Sequence, residues 1–135
     1  MLKGKEEDGW RKYQPNDHIE VKYAIEEDGE TKTRVGLAKV LEIRGGDERH
    51  VFLLVFWLYR PNDLKERELK AAPYHGHNEL IASNHLDIIN YTQVVRKIDV
   101  TDRRNGSGNL GSDELFWRQT LDVYNPGGAK LSKIN

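Results

Sequence analysis

Apolar positions along this chain recur at short intervals and are broken every few residues by polar turns, and no long amphipathic helical stretch interrupts the pattern. Ile19, Val21 and Tyr23 stand at every second position, the period of a half-buried strand. The "EEDGE" that follows reads as a turn centred on Asp28-Gly29. Val35, Leu37, Val40, Leu41 and Ile43 keep an imperfect alternation, which predicts a second strand carrying a bulge or bend. After the loop "RGGDERH", Val51 to Tyr59 is apolar on both faces and is expected to be the most deeply buried strand. "NDLKERELKAAP" predicts a short charged helical turn ended by Pro73. Two or three short strands are expected between Tyr74 and Val100, with Leu80, Ile81, Leu86, Ile88, Ile89, Val94, Val95, Ile98 and Val100 as core positions. "TDRRNGSGNLGSDE" reads as a surface loop, and "LFWRQTLDVYNPGG" as a closing strand and turn. The pattern predicts a mostly-β domain, a bent sheet or partial barrel with short helical turns and long loops. Residues 1–15 are expected to be a flexible N-terminal segment, 16–132 the domain and 133–135 a tail.

Composition narrows the function classes. The 135 residues suit one domain with enough chain for a real core. Lys and Arg number 21 against 22 Asp and Glu, so no global basic field points to nucleic acid. Scattered cations, Arg103-Arg104 with Lys65, Arg67 and Lys70, offer at most local phosphate contacts, and solvated surface is the ordinary alternative. Charged residues make up 32% of the chain, and no apolar run approaches the ~20 residues of a membrane span. No membrane partner and no small-molecule substrate are expected. Cysteine is absent, which excludes disulfides and thiolate ligands from these residues and is compatible with cytosol or nucleus.

Enzymatic readings find little support. The sequence carries no nucleophile elbow, phosphate loop or paired-histidine helical motif. Ser83 and His85 share a face if they lie on a strand, yet no oxyanion donors are suggested beside them. His75, His77 and His85 crowd together, with Glu79 and Asp87 as the nearby carboxylates, so a metal site and a backbone-bonding turn are both open readings. Too few ligands converge for tight tetrahedral zinc, and neither a metal nor another cofactor is expected.

The aromatics carry a different signal. Trp57 and Tyr59 stand two apart where the central strand runs out into "RPND", so both point to one face. Such a pair either packs inward as core or holds a cation, since a methylated lysine is gripped by π faces within ~6 Å.

"VFWLYRPNDL" followed downstream by "NELIASNHLDIINYTQVVRKIDV" resembles the BAH (bromo-adjacent homology) domain, in which a hydrophobic strand, Trp-x-Tyr-Arg-Pro, Asn-Glu-Leu and Ser-x-His-x-Asp occur in this order. "YHGHNELIASNHLDIIN" with "ELFWRQTLDVY" is similar to fungal members of the plant-and-fungal BAH–PHD group. The resemblance runs from about His18 to Leu131. In such relatives a PHD finger beginning with Cys-x-Cys commonly follows, so this cysteine-free chain is expected to be either a protein with the BAH domain alone or a piece ending before that finger.

The resemblance implies a nuclear, non-enzymatic chromatin reader. Trp57 and Tyr59 would form two walls of a cage for trimethyl-lysine on the histone H3 tail, the Polycomb mark. His85 and Asp87 would touch the flanking peptide, or alternatively form a local turn network, and Asn78 and Glu79 would be further peptide contacts that order the loop beside it. The family's third wall falls at Gly36, where this chain has no ring. A missing ring removes about 0.5–2 kcal/mol of cation–π attraction, a factor of roughly two to thirty in affinity. Tyr23, Tyr74 and Trp10 are the candidate substitutes. If none closes the pocket, the expected alternative is a scaffold that binds a chromatin protein or the nucleosome through a degenerate cage.

Overall fold

Residues 11–45, 47, 50–61, 78–104 and 114–132 are described in the computed structural model of the chain. The hairpin joining β1 (His18–Glu27) to β2 (Glu30–Gly45) shows how directly local sequence sets local structure. Asp28 and Gly29 both take positive φ, 54° and 78°, the mirror-image turn whose twist matches that of the flanking strands. Glycine adopts this conformation without steric penalty, and Asp is among the side chains that tolerate it. The turn pairs Glu27 with Glu30 and sets the register through to His18 opposite Lys39. Arg34 and Lys32 reach Glu27 at 2.8 and 3.4 Å across the hairpin. These are half-exposed pairs, each contributing less than about 1 kcal/mol.

The remaining elements are β3 (Val51–Tyr59), β4 (Glu79–Asn90), a 3-10 turn at Tyr91–Gln93, β5 (Val94–Ile98), β6 (Val100–Asp102), β7 (Leu115–Asp122) and β8 (Lys130–Leu131). The hydrogen-bonded order is the open path β5-β1-β2-β3-β4-β7-β6, with β8 paired to β7. The mostly-β, open-sheet expectation holds. The helical turn expected over 62–73 lies outside the described residues. Two compact units make up the chain, one of residues 1–55 and 86–98, the other of 56–85 and 99–135.

In the first unit β1 pairs with β2 and β5, both antiparallel. Ile19 faces Ala38 and Val21 faces Gly36 on one side of the sheet. Ile19, Val21, Ala38, Val40, Val51, Leu53 and Val55 are buried, and Ile89 joins them at 4% exposure. Full burial of each large side chain contributes roughly 1.5–3 kcal/mol. Asn90 accepts from Thr92 N at 2.9 Å, and Gln93 accepts from Asn90 N at 2.8 Å, a capping box that turns β4 into β5.

Three residues expected in the core lie outside it. Leu86, Ile88 and Val95 are 44%, 65% and 50% exposed. Phe52 is also exposed, so β3 is not buried on both faces. Phe52 and Ile88 stand beside buried positions and by the period of two point to the opposite, open face, whereas Leu86 and Val95 lie where β4 and β5 are exposed on both faces.

In the second unit β4 and β6 both run parallel to β7, while β8 is antiparallel to it. Ile81 and Leu121 form a buried pair against which Tyr59, Val123, Ala129 and Leu131 pack. Glu79, at 1% exposure, receives Arg118 Nε at 2.6 Å, tying the start of β4 to β7. Gln119 Nε2 donates to Ser132 O at 2.7 Å, and Ser132 N donates to Thr120 O at 2.8 Å, fastening the C-terminal segment to β7.

A buried carboxylate that loses its cation is far more destabilising than an exposed one. Arg118→Met is therefore expected to lower stability by roughly 2–3 kcal/mol, the low end because Arg118 keeps some solvent contact. Arg34→Met in the exposed hairpin should lose less than about 1 kcal/mol. Urea unfolding followed by tryptophan fluorescence measures both, and equal small losses would contradict the tying role of Glu79.

Candidate functional site

The end of β3 and the middle of β4 bring together the two motifs that stand apart in sequence. Trp57 and Tyr59 project from one face of β3, two residues apart. Ser83 and His85 have the same spacing on β4. The Ser83 hydroxyl donates to the Trp57 carbonyl at 2.5 Å and accepts from the His85 backbone N–H at 3.1 Å. The Tyr59 hydroxyl and His85 Nδ1 form a second hydrogen bond between the strands. Trp-x-Tyr and Ser-x-His are thus one bonded group of four residues.

The ring geometry is informative. The ring planes of Tyr59 and His85 are inclined by 16° to each other, with centroids 6.1 Å apart. With the phenol oxygen joined to the imidazole, this is an end-to-end arrangement, in which neither ring covers the other's face. Tyr59 and Trp57 are each half-buried, and Tyr59 rests against the Ile81–Leu121 cluster. Two π-bearing side chains held at a strand end are suited to a cation, since a ring face carries negative potential.

The same geometry bears on the serine–histidine reading. The Ser83 hydroxyl proton is directed at a backbone carbonyl and the ring Nδ1 of His85 at Tyr59, so Ser83 and His85 meet through a backbone N–H and a hydroxyl. This is not the nucleophile–base geometry of acyl transfer, in which the imidazole contacts the hydroxyl.

The other expected residues are distributed as follows. Asn78 is half-buried, and its carbonyl accepts from Phe116 N at 3.1 Å. Glu79 is buried on Arg118. Asp87 is exposed in the first unit, where its carboxylate accepts from Ile88 N at 2.7 Å. Tyr23 and Gly36 also belong to the first unit. Gly36 is opposite Val21 in regular register, and the positive-φ glycines among the described residues are Gly29 and Gly128. Tyr23, opposite Arg34, is the next residue along on the face of Gly36. Trp10, Tyr74, His75 and His77 lie outside the described residues. Among the described residues no three histidine or carboxylate side chains converge as metal ligands.

Two features escaped the sequence reading. Asn84 Nδ2 donates to Asp122 Oδ1 at 2.9 Å while Asn84 Oδ1 accepts from Val123 N at 2.9 Å. The Asn84 bond, with a second from Tyr124 N, holds the Asp122 carboxyl below its usual range. These residues border a depression of about 260 Å³ along β4 and β7, lined also by Ala82, Ser83, Thr120 and Leu121. Nothing in residue type marks Asn84 and Asp122 as partners across 38 positions. The second feature is the packing of Arg103 and Arg104 on aromatic rings, with guanidinium groups 5.5 and 4.7 Å from the ring centroids of Phe116 and Trp117. Arg104 also pairs with Asp102 at 2.6 Å, so this dipeptide is built into the surface of β7.

No family model matches the chain, and no curated protein does. Among solved structures it is similar to the yeast Rsc2 BAH domain, with a TM-score of 0.61 and 15% sequence identity. The likeness covers 91% of this chain and 50% of that one, so the chain spans about half the length of the solved relative. The path of the backbone survives at an identity where few side chains do, and on that ground the chain has the fold of a BAH domain.

Proposed function

We propose that this chain is a nuclear, non-enzymatic chromatin reader that binds a histone H3 tail through a trimethyl-lysine of the Polycomb type, with Trp57 and Tyr59 as two walls of an aromatic cage. The observation that carries this reading is the bonded group Trp57–Ser83–His85–Tyr59, which fixes the Trp57 backbone and the Tyr59 hydroxyl at a strand end on a BAH fold. A ring restrained before binding, as Tyr59 is by His85, loses less entropy when the ligand arrives. His85, Asp87 and Asn78 are the proposed peptide contacts. Glu79, buried on Arg118, orders the segment that presents them. Tyr23 is one candidate for the third wall. Tyr74 and Trp10 are the other candidates. The similarity to fungal BAH–PHD proteins supports the same assignment.

A second reading has its own observation. Val35, Phe52, Leu86, Ile88 and Val95 are exposed apolar side chains of the first unit, and Gly36 leaves one cage wall without a ring. Both features favour a scaffold that binds a chromatin protein or the nucleosome. Titration of methylated and unmethylated H3 peptides separates the two readings: a reader discriminates between them and a scaffold does not.

For the reader, Trp57→Ala and Tyr59→Ala are each expected to abolish measurable binding of the trimethyl-lysine peptide while the domain stays folded by circular dichroism. Unfolding of both variants would instead assign these rings to the core.

Gly36→Tyr supplies the absent ring on a strand position where a side chain meets no backbone strain. Affinity for the trimethylated peptide should rise, by up to roughly thirtyfold, with little change for the unmethylated peptide. Unchanged affinity in a folded variant would mean that Tyr23 or Tyr74 already closes the pocket. A folded variant that, like its parent, binds no methylated peptide would move the assignment to the scaffold.

A further inference from the structure

We infer that His85 is a positioning residue, which sets the plane of the Tyr59 ring and thereby the strength of the cage; the inference rests on the reader function proposed above. A tyrosine on a fixed strand retains two side-chain torsions, and a cation–π contact depends on which way the ring face is turned. Packing on the Ile81–Leu121 cluster restrains the body of the ring. The hydroxyl end is restrained by His85 Nδ1.

The end-to-end arrangement suits this task, with centroids 6.1 Å apart and contact made through the hydroxyl. An imidazole stacked on the phenol would occupy a face that a cation needs, whereas one joined at the hydroxyl leaves both faces uncovered by it. In the neutral tautomer with the proton on Nε2, Nδ1 accepts from the phenol O–H. His85 is held in turn, because its backbone N–H donates to Ser83 Oγ and the Ser83 proton goes to the Trp57 carbonyl. One chain of hydrogen bonds therefore links the two cage residues through groups outside the cage. His85 remains able to contact the peptide through Nε2, and that role is separable from this one.

A double-mutant cycle separates them. Dissociation constants for a trimethyl-lysine H3 peptide are measured with the parent, Tyr59→Phe, His85→Ala, the double variant and His85→Asn. Tyr59→Phe keeps the ring and removes the hydroxyl, and is expected to weaken binding about threefold to tenfold, the span of one hydrogen bond. His85→Ala should weaken binding at least as much. In the His85→Ala background Tyr59→Phe should then change nothing further. His85→Asn, whose Oδ1 falls near the place of Nδ1, should recover most of the affinity lost in His85→Ala. An equal loss from Tyr59→Phe in both backgrounds would overturn the inference. So would a Tyr59→Phe variant with parental affinity, a result that stands even if His85→Ala fails to fold. A parent that does not distinguish methylated from unmethylated peptide overturns the reader function and this role with it, and is seen before any variant is made.

Discussion

The hydrogen bonds that Ser83 and His85 make to the end of β3 are the constraint on which the site depends. A strand end with two large aromatics has a carbonyl to satisfy and rings to orient. Ser83 supplies a donor to the Trp57 carbonyl, and His85 takes up the Tyr59 hydroxyl. A half-buried carbonyl left without a partner costs on the order of 1–3 kcal/mol, so the serine stabilises the fold as well as the site. Immobilising a side chain during binding costs about 0.5–1.5 kcal/mol. For Tyr59 much of that ordering belongs to folding, so in the proposed cage more of its cation–π contact would appear as affinity.

That constraint works only if β4 is itself fixed, and its pairing with β7 fixes it. β4 runs parallel to β7 from Glu79 opposite Phe116 to Ser83 opposite Leu121, with a register shift after Leu80. The Glu79–Arg118 pair anchors one end of this ladder, and Asn84 with Asp122 anchors the other. Between them Ile81 and Leu121 bury the face on which Tyr59 rests. An exposed alternation of charges would not hold β4 this way, because solvated pairs contribute little.

Legibility in the sequence followed the range of the interaction. Asp28-Gly29 requires no partner beyond its own hairpin, and the turn falls where its residues place it. The central strand has the predicted bounds, Val51 and Tyr59, because its apolar run is local as well. The parallel pairing of β4 and β6 with β7 was not legible, since a period of two reports which residues share a face and is silent on the neighbouring strand. The same silence explains Leu86, Ile88 and Val95, apolar residues whose face is open. Glu79 and Asn84 look like surface polar residues until β7 supplies Arg118 and Asp122. For the candidate site, Trp57, Tyr59, Ser83 and His85 could be picked out individually. Their union across 26 positions belongs to the fold.

The proposed ligand site is the aromatic end of β3, so the most direct test is a structure of the domain with a trimethyl-lysine H3 peptide. The prediction is a quaternary nitrogen within about 6 Å of the centroids of both Trp57 and Tyr59, with the Tyr59 hydroxyl still bonded to His85. A peptide seated on the exposed apolar face of the first unit, or a methylammonium group standing in solvent away from both rings, would contradict it.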